Sequence, residues 1–118
     1  MESNIELERA LMLRLAAATL VALSLGAFAA NEPEFNVAIE GHKFAPDRIE
    51  VPAGKKVKLI VENKDATPEE FESAQLKVEK VIPGKSKATI FVGPLKAGEY
   101  KFVGEYNEKT AKGVVVAK

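Results

Sequence analysis

The 118-residue sequence contains no cysteine and only one histidine, His42. The lack of cysteine excludes disulfides, thiolate metal ligands, a cysteine nucleophile and lipoprotein acylation. One histidine and no spaced Ser, His or Cys motif also leave no constellation for acid–base or nucleophilic catalysis. We therefore expect a protein that is not an enzyme.

An excess of either charge is also missing. Lysine plus arginine and aspartate plus glutamate number 17 each, and the basic residues are scattered rather than grouped in a patch. Binding to a phosphate backbone or an anionic membrane depends on a concentrated positive surface. The composition therefore predicts neither nucleic acid nor membrane as a partner.

Charge is absent from one apolar segment, the sixteen residues Leu15–Ala30. Arg9 and Arg14 precede this segment, and Ala27-Phe28-Ala29 supplies the small-x-small pattern of a signal-peptidase site. These features predict a secretory signal peptide over residues 1–29. An uncleaved anchor is the alternative, although the segment is shorter than the roughly 20 apolar residues of a spanning helix.

The chain offers two candidate starts, Met1 and Met12. The first is followed by acidic residues, whereas Met12 leads through Arg14 directly into the apolar segment, which is the more typical signal sequence. Removal of the signal peptide leaves about 88 residues, a size that folds as one domain with a modest core. We expect a periplasmic or secreted protein with a single domain over residues 35–118.

From Phe35 onward, apolar residues alternate with polar or charged ones, as in the segment Lys56–Glu62. Such a period of two is typical of strands with one face on a core and one in water. Turn residues separate the strands, for example at Pro52-Ala53-Gly54 and Pro83-Gly84. The pattern predicts an all-β sandwich or barrel of seven or eight strands. Only Thr67–Ser73 is a candidate for a turn of helix.

Several short segments in this domain resemble a cupredoxin, most closely the EfeO-type cupredoxin-like domains of bacterial export proteins. The resemblance covers about residues 35–118 and implies a Greek-key sandwich with a metal site at one end. It also implies handling of iron or copper in the periplasm, beside a membrane or periplasmic metal-transport protein. The segments that carry it are Phe44-Ala45-Pro46, Ile49–Lys55, Val61-Glu62-Asn63, Glu69–Ser73, Pro83-Gly84, Leu95–Phe102, Gly104–Asn107 and Thr110–Val116.

The resemblance places four positions where blue-copper proteins have the ligands of type-1 copper. The pattern Tyr-x-Phe-x-Cys matches Tyr100-x-Phe102, so that Gly104 takes the place of the cysteine. Asn107 and Glu69 take the places of the two histidines, and the methionine place falls at Ala111 or Lys112. Type-1 copper needs two histidines and a thiolate. The sequence therefore predicts no type-1 copper in this chain.

A different metal site at the same end is our first hypothesis. We expect His42, Glu70, Glu72 and Glu105 to hold Cu(II) or an iron ion there, because imidazole and carboxylate suit borderline and hard ions. The alternation places Glu70 and Glu72 on the face opposite Phe71, facing either a shared ion or solvent. The protein would then capture, store or deliver metal. The alternative is a metal-free structural or protein-interaction module with a degenerate site.

Overall fold

The alternating pattern organises residues 31–118, the part of the chain that our computed structural model describes, into nine β-strands. The predicted signal-peptide helix and the choice of start lie outside these residues. A single 3₁₀ turn, Glu105–Asn107, follows the eighth strand. The strands are β1 (Glu34–Ile39), β2 (Phe44–Ala45), β3 (Arg48–Val51), β4 (Val57–Asn63), β5 (Glu69–Ser73), β6 (Val78–Ile82), β7 (Ser86–Val92), β8 (Gly98–Gly104) and β9 (Lys112–Ala117).

The strands form two sheets, which confirms the predicted all-β sandwich. The first sheet has the order β2-β1-β4-β7 and the second the order β3-β9-β8-β5-β6. Both sheets are mixed, since β1 pairs with β4 and β3 with β9 in parallel, whereas the other neighbours are antiparallel. Nine strands replace the predicted seven or eight, and one of them, β2, has only two residues.

Strand β4 shows how the sequence builds the core. Val57, Leu59 and Val61 are fully buried between the sheets, whereas the intervening residues are only partly covered. Successive side chains of a strand point to opposite faces, so one face of β4 contributes a continuous apolar row. Burial of such side chains stabilises the fold by roughly 1.5–3 kcal/mol each.

Three aromatic rings fill the core where β2, β5 and β8 meet. The ring of Phe102 stacks on that of Phe71, with centroids 4.7 Å apart. The ring of Phe44 meets both edge-on, at 4.8 Å from Phe102 and 5.9 Å from Phe71. Offset-stacked and edge-on pairs are the favourable arrangements of aromatic rings. Phe71 lies opposite Gly104 in the sheet, so this cluster supports the end of the sandwich that the resemblance singles out.

The one candidate for a turn of helix, Thr67–Ser73, does not form one, because residues 69–73 form β5 and pair with both β6 and β8. The loop before β5 is fixed by the buried Asn63. Its amide nitrogen donates to the carbonyl oxygens of Thr67 and Ile82, at 2.9 and 3.1 Å. Its amide oxygen accepts from the N–H of Asp65 at 3.1 Å. These bonds define where β5 begins and hence where Glu69 is held.

Candidate functional site

Strands β5 and β8 bring the four positions of the type-1 ligand pattern together. Phe71 and Gly104 are opposite partners, and Glu69, two residues before Phe71, shares its inward face. Beyond Gly104 the chain folds back on itself. The N–H of Gly104 donates to the carbonyl of Ala111 at 2.9 Å, and the N–H of Ala111 donates to the carbonyl of Asn107 at 2.8 Å. The loop of residues 104–111 therefore closes beside Glu69.

The carboxylate of Glu69 lies inside this end of the sandwich, where the residue is only 1% exposed. Its Oε1 accepts from the backbone N–H groups of Glu70 and Tyr106, both at 2.9 Å. Its Oε2 accepts from the side-chain amide of Asn107 at 2.7 Å. A buried carboxylate requires such partners, because burying a charge without hydrogen-bond partners costs on the order of several kcal/mol in lost hydration.

Gly104 leaves the space that this carboxylate uses. A Cβ atom at position 104 would lie 2.7 Å from Cδ of Glu69 and 2.7 Å from Cβ of Ala111. The place of a thiolate is therefore taken by Glu69 and a neighbouring methyl group. A carboxylate, an amide and a methyl group do not supply the two imidazoles and thiolate of type-1 copper. The residues present do not fit that centre.

Of the two candidates for the fourth ligand position, Ala111 and Lys112, the structure favours Ala111. Ala111 is fully buried, with its methyl group toward Gly104. Lys112 is exposed and is the first residue of β9, opposite Val103 in the sheet. Successive side chains of an extended chain point in opposite directions, so the side chain of Lys112 points away from Gly104 and Glu69.

The structure brings His42 to Asp65 rather than into the group of glutamates, and its role as a metal ligand stays a prediction. It lies in the turn between β1 and β2 with φ 57°, and its Nδ1 is 3.6 Å from Oδ2 of Asp65. Asp65 accepts from the N–H groups of Gly41 and His42, at 2.8 and 3.0 Å. These two bonds, that from His42 first, hold the pKa of Asp65 below its usual range. The backbone of His42 therefore belongs to a turn that Asp65 stabilises, and its imidazole lies beside the Asp65 carboxylate.

Among residues 31–118, the carboxylates that meet are those of Glu70, Glu79 and Glu105, each with an oxygen within 4.8 Å of the others. Two of the four predicted ligands, Glu70 and Glu105, are thus brought together. Glu72 is not in this group of three, although its side chain lies within hydrogen-bond reach of Glu105. Glu79 was not predicted, although it is the partner of Glu72 in the β5–β6 register. A hairpin register worked out from the alternation on both strands would have indicated it.

The family model described as "Cupredoxin-like domain" matches residues 13–117. The chain belongs to this cupredoxin-like family. An uncharacterized protein of Rickettsia prowazekii (strain Madrid E) is 40% identical over 86 residues, which cover 73% of this chain and 69% of that protein.

Solved structures share the fold of this cupredoxin-like domain at low sequence identity. Auracyanin A, a "blue" copper protein of Chloroflexus aurantiacus, has a TM-score of 0.61 at 14% identity and covers 75% of this chain and 100% of its own. The metal-binding domain of a Cu(I)-exporting ATPase of Streptococcus pneumoniae D39 gives 0.62 at 15%, covering 72% and 84%. Amicyanin of Paracoccus versutus gives 0.57 at 14%, covering 75% and 83%.

The carboxylates on the outer face of the cupredoxin-like domain perturb one another's proton affinity. A hydrogen bond between the side chains of Glu70 and Glu79, followed by burial and then Glu105, raises the pKa of Glu70 to about 7. Burial, followed by the negative charge of Glu105, raises the pKa of Glu72. Crowded carboxylates favour the protonated form. A bound cation would relieve the same repulsion.

Proposed function

We propose that this cupredoxin-like domain binds a metal ion through Glu70, Glu79 and Glu105, without catalysing a reaction, and serves in metal capture or delivery. The observation that carries the proposal is the approach of three carboxylates to within 4.8 Å of one another. An all-oxygen donor set suits hard cations. With His42 held by Asp65, the candidate site lacks an imidazole, which favours iron over Cu(II).

The proposal includes export to the periplasm or beyond, and an EfeO-type role beside a metal-transport protein. The export is supported by the apolar segment Leu15–Ala30 and by the small-x-small pattern that ends at Ala29. Expressed from Met1 in a Gram-negative host, the protein should be recovered from the periplasmic fraction. Its mass should show cleavage after Ala29 or Ala30. Recovery of the full-length chain with the membranes would support the uncleaved anchor instead.

A metal-free structural or interaction module is the second candidate function. Its support is Glu69, whose carboxylate fills the position of the type-1 centre and has each oxygen hydrogen-bonded. That end of the sandwich is thus complete without any metal ligand in it. The two candidate functions differ in one measurable property, the affinity of Glu70, Glu79 and Glu105 for cations.

Calorimetric titration of the purified protein with Fe(III) citrate, Mn(II), Zn(II) and Cu(II) tests the first function. We expect binding that is tightest for the hard ions and that strengthens from about pH 6 to about pH 8. The sign follows from the pKa of Glu70, about 7. Below that pH its carboxyl is protonated, and a cation must displace the proton. Proton release at about pH 6 should appear as a dependence of the heat on the buffer.

Glu79→Gln should weaken cation binding roughly 10-fold or more, because it removes one of three charged ligands. Two variants serve as controls. Glu62→Gln removes a carboxylate from β4, in the other sheet, and His42→Ala removes the imidazole; neither should change the affinity. Binding that is absent, or equally weakened by Glu62→Gln, would favour the metal-free module.

A further inference from the structure

The carboxylate of Glu69 joins the start of β5 to the 3₁₀ turn that follows β8. It accepts from Glu70 at the start of β5 and from Tyr106 and Asn107 in the 3₁₀ turn after β8. The β5–β8 ladder ends at the pair Phe71 and Gly104, so backbone pairing stops just before this contact. We infer that the Glu69 carboxylate is an internal cross-link that orders residues 104–111 in place of a bound metal ion.

Each oxygen of the Glu69 carboxylate has at least one hydrogen-bond donor. Both carboxylate oxygens act only as acceptors, and the three groups that face them are N–H donors. The two donors to Oε1 belong to the backbone, and Oε2 is served by the amide of Asn107. Among the described residues, no buried side-chain nitrogen or oxygen atom lacks a hydrogen-bond partner. The cross-link is therefore complete within the protein.

Gly104 and Ala111 belong to the same arrangement. The carboxylate carbon of Glu69 would lie 2.7 Å from a Cβ at position 104, and Cβ of Ala111 would be equally close. Two small residues thus give the glutamate its space. This inference concerns Glu69 in the interior, whereas the proposed cation site concerns Glu70, Glu79 and Glu105, so either can fail without the other.

The test exploits the polarity of the contact between Glu69 and Asn107. Asn107→Asp places a carboxylate against a carboxylate at the 2.7 Å contact, whereas Glu69→Gln in the same chain restores a donor opposite an acceptor. In the double variant the amide of residue 69 donates to residue 107, and its remaining oxygen still accepts from the backbone. Glu69→Gln alone should have a small effect, because the Asn107 amide can rotate to present its oxygen.

The readout is native-state hydrogen exchange of the Glu70 and Tyr106 amides, the two backbone donors to Oε1. We expect Asn107→Asp to speed their exchange about 10- to 100-fold, the cost of leaving buried groups unpaired. The double variant Glu69→Gln/Asn107→Asp should return exchange to within about 3-fold of the parent. All proteins are compared in EDTA, so that a cation held by Glu70 and Glu105 does not contribute, and the parent should remain protected there.

A matched double variant separates this cross-link from general charge repulsion. Asn107→Asp adds a negative charge near several glutamates, and Glu108→Gln removes one from the neighbouring residue without touching the contact. Asn107→Asp/Glu108→Gln should therefore exchange as fast as Asn107→Asp alone. Equal rescue by Glu108→Gln, unchanged protection in Asn107→Asp, or loss of protection in EDTA would each overturn the inference.

Discussion

Replacement of Phe102 by alanine should lower the free energy of unfolding by about 3–5 kcal/mol, the usual cost of deleting a buried aromatic ring. Phe102 is 1% exposed and touches Phe71 and Phe44 with centroids 4.7 and 4.8 Å away. Its outer side is covered by the backbone of Gly113, where a Cβ would lie 2.2 Å from the ring. Little can collapse into the space left by the ring. Urea denaturation followed by circular dichroism measures the loss.

Phe91→Ala is the matched control for this prediction. Phe91 also lies in a strand, but it is 49% exposed and its ring contacts the ammonium groups of Lys56 and Lys58, at 4.8 and 5.7 Å. Exposed cation–π contacts contribute about 0.5–1 kcal/mol each, so this variant should lose about 1–2 kcal/mol, clearly less than Phe102→Ala. Phe102→Leu keeps most of the volume and provides a measurable variant if Phe102→Ala does not fold. Equal losses at the two phenylalanines would contradict the described core.

The strands could be predicted because the period of two is a direct consequence of burial on one face. In β4 the sequence alternation Val57, Leu59, Val61 and the observed burial agree residue by residue. The segment that forms β5 was harder to predict, since Thr67–Ser73 contains three glutamates and little apolar pattern. Its strand is specified by pairing on both sides with β6 and β8, and such partners are not contained in the local sequence.

The placement of His42 beside Asp65, apart from the group of glutamates, has a different physical cause. Its position is determined by a turn in which Gly41 and His42 both have positive φ, 62° and 57°. The two N–H groups of that turn converge on Asp65, 23 and 24 residues further along the chain. Loop conformations of this kind follow from a tertiary partner rather than from periodicity. The sequence therefore predicted that His42 lies in a loop, but not that its imidazole points toward Asp65.

Glu69 is the residue for which more could have been predicted. It lies two positions before Phe71, and the same alternation that sends Phe71 into the core sends Glu69 inward as well. Glu69 was assigned the position of a lost histidine ligand, but no hydrogen-bond partners were predicted for its own carboxylate. A glutamate in phase with a core phenylalanine requires hydrogen-bond donors nearby, and the amide of Asn107 supplies one of them.

Gly104→Ala should lower the free energy of unfolding by about 1–3 kcal/mol, the range for inserting a methyl group into a packed interior. The backbone at Gly104 has φ −88° and ψ 104°, which alanine adopts freely, so the loss would report the contacts of the new methyl group alone. Those contacts are with Glu69 and Ala111. Thermal or urea unfolding of the variant gives the value.

A double-mutant cycle assigns that loss to its cause. If the methyl group at position 104 competes with the carboxylate, its cost should fall by roughly 1 kcal/mol in a Glu69→Ala background, since the two residues are in contact. Strict additivity would show that Glu69 does not occupy the space. Coupling, by contrast, means that a side chain at position 104 and the buried carboxylate exclude each other. A cysteine introduced there would then have to displace Glu69 before its thiolate could face a metal.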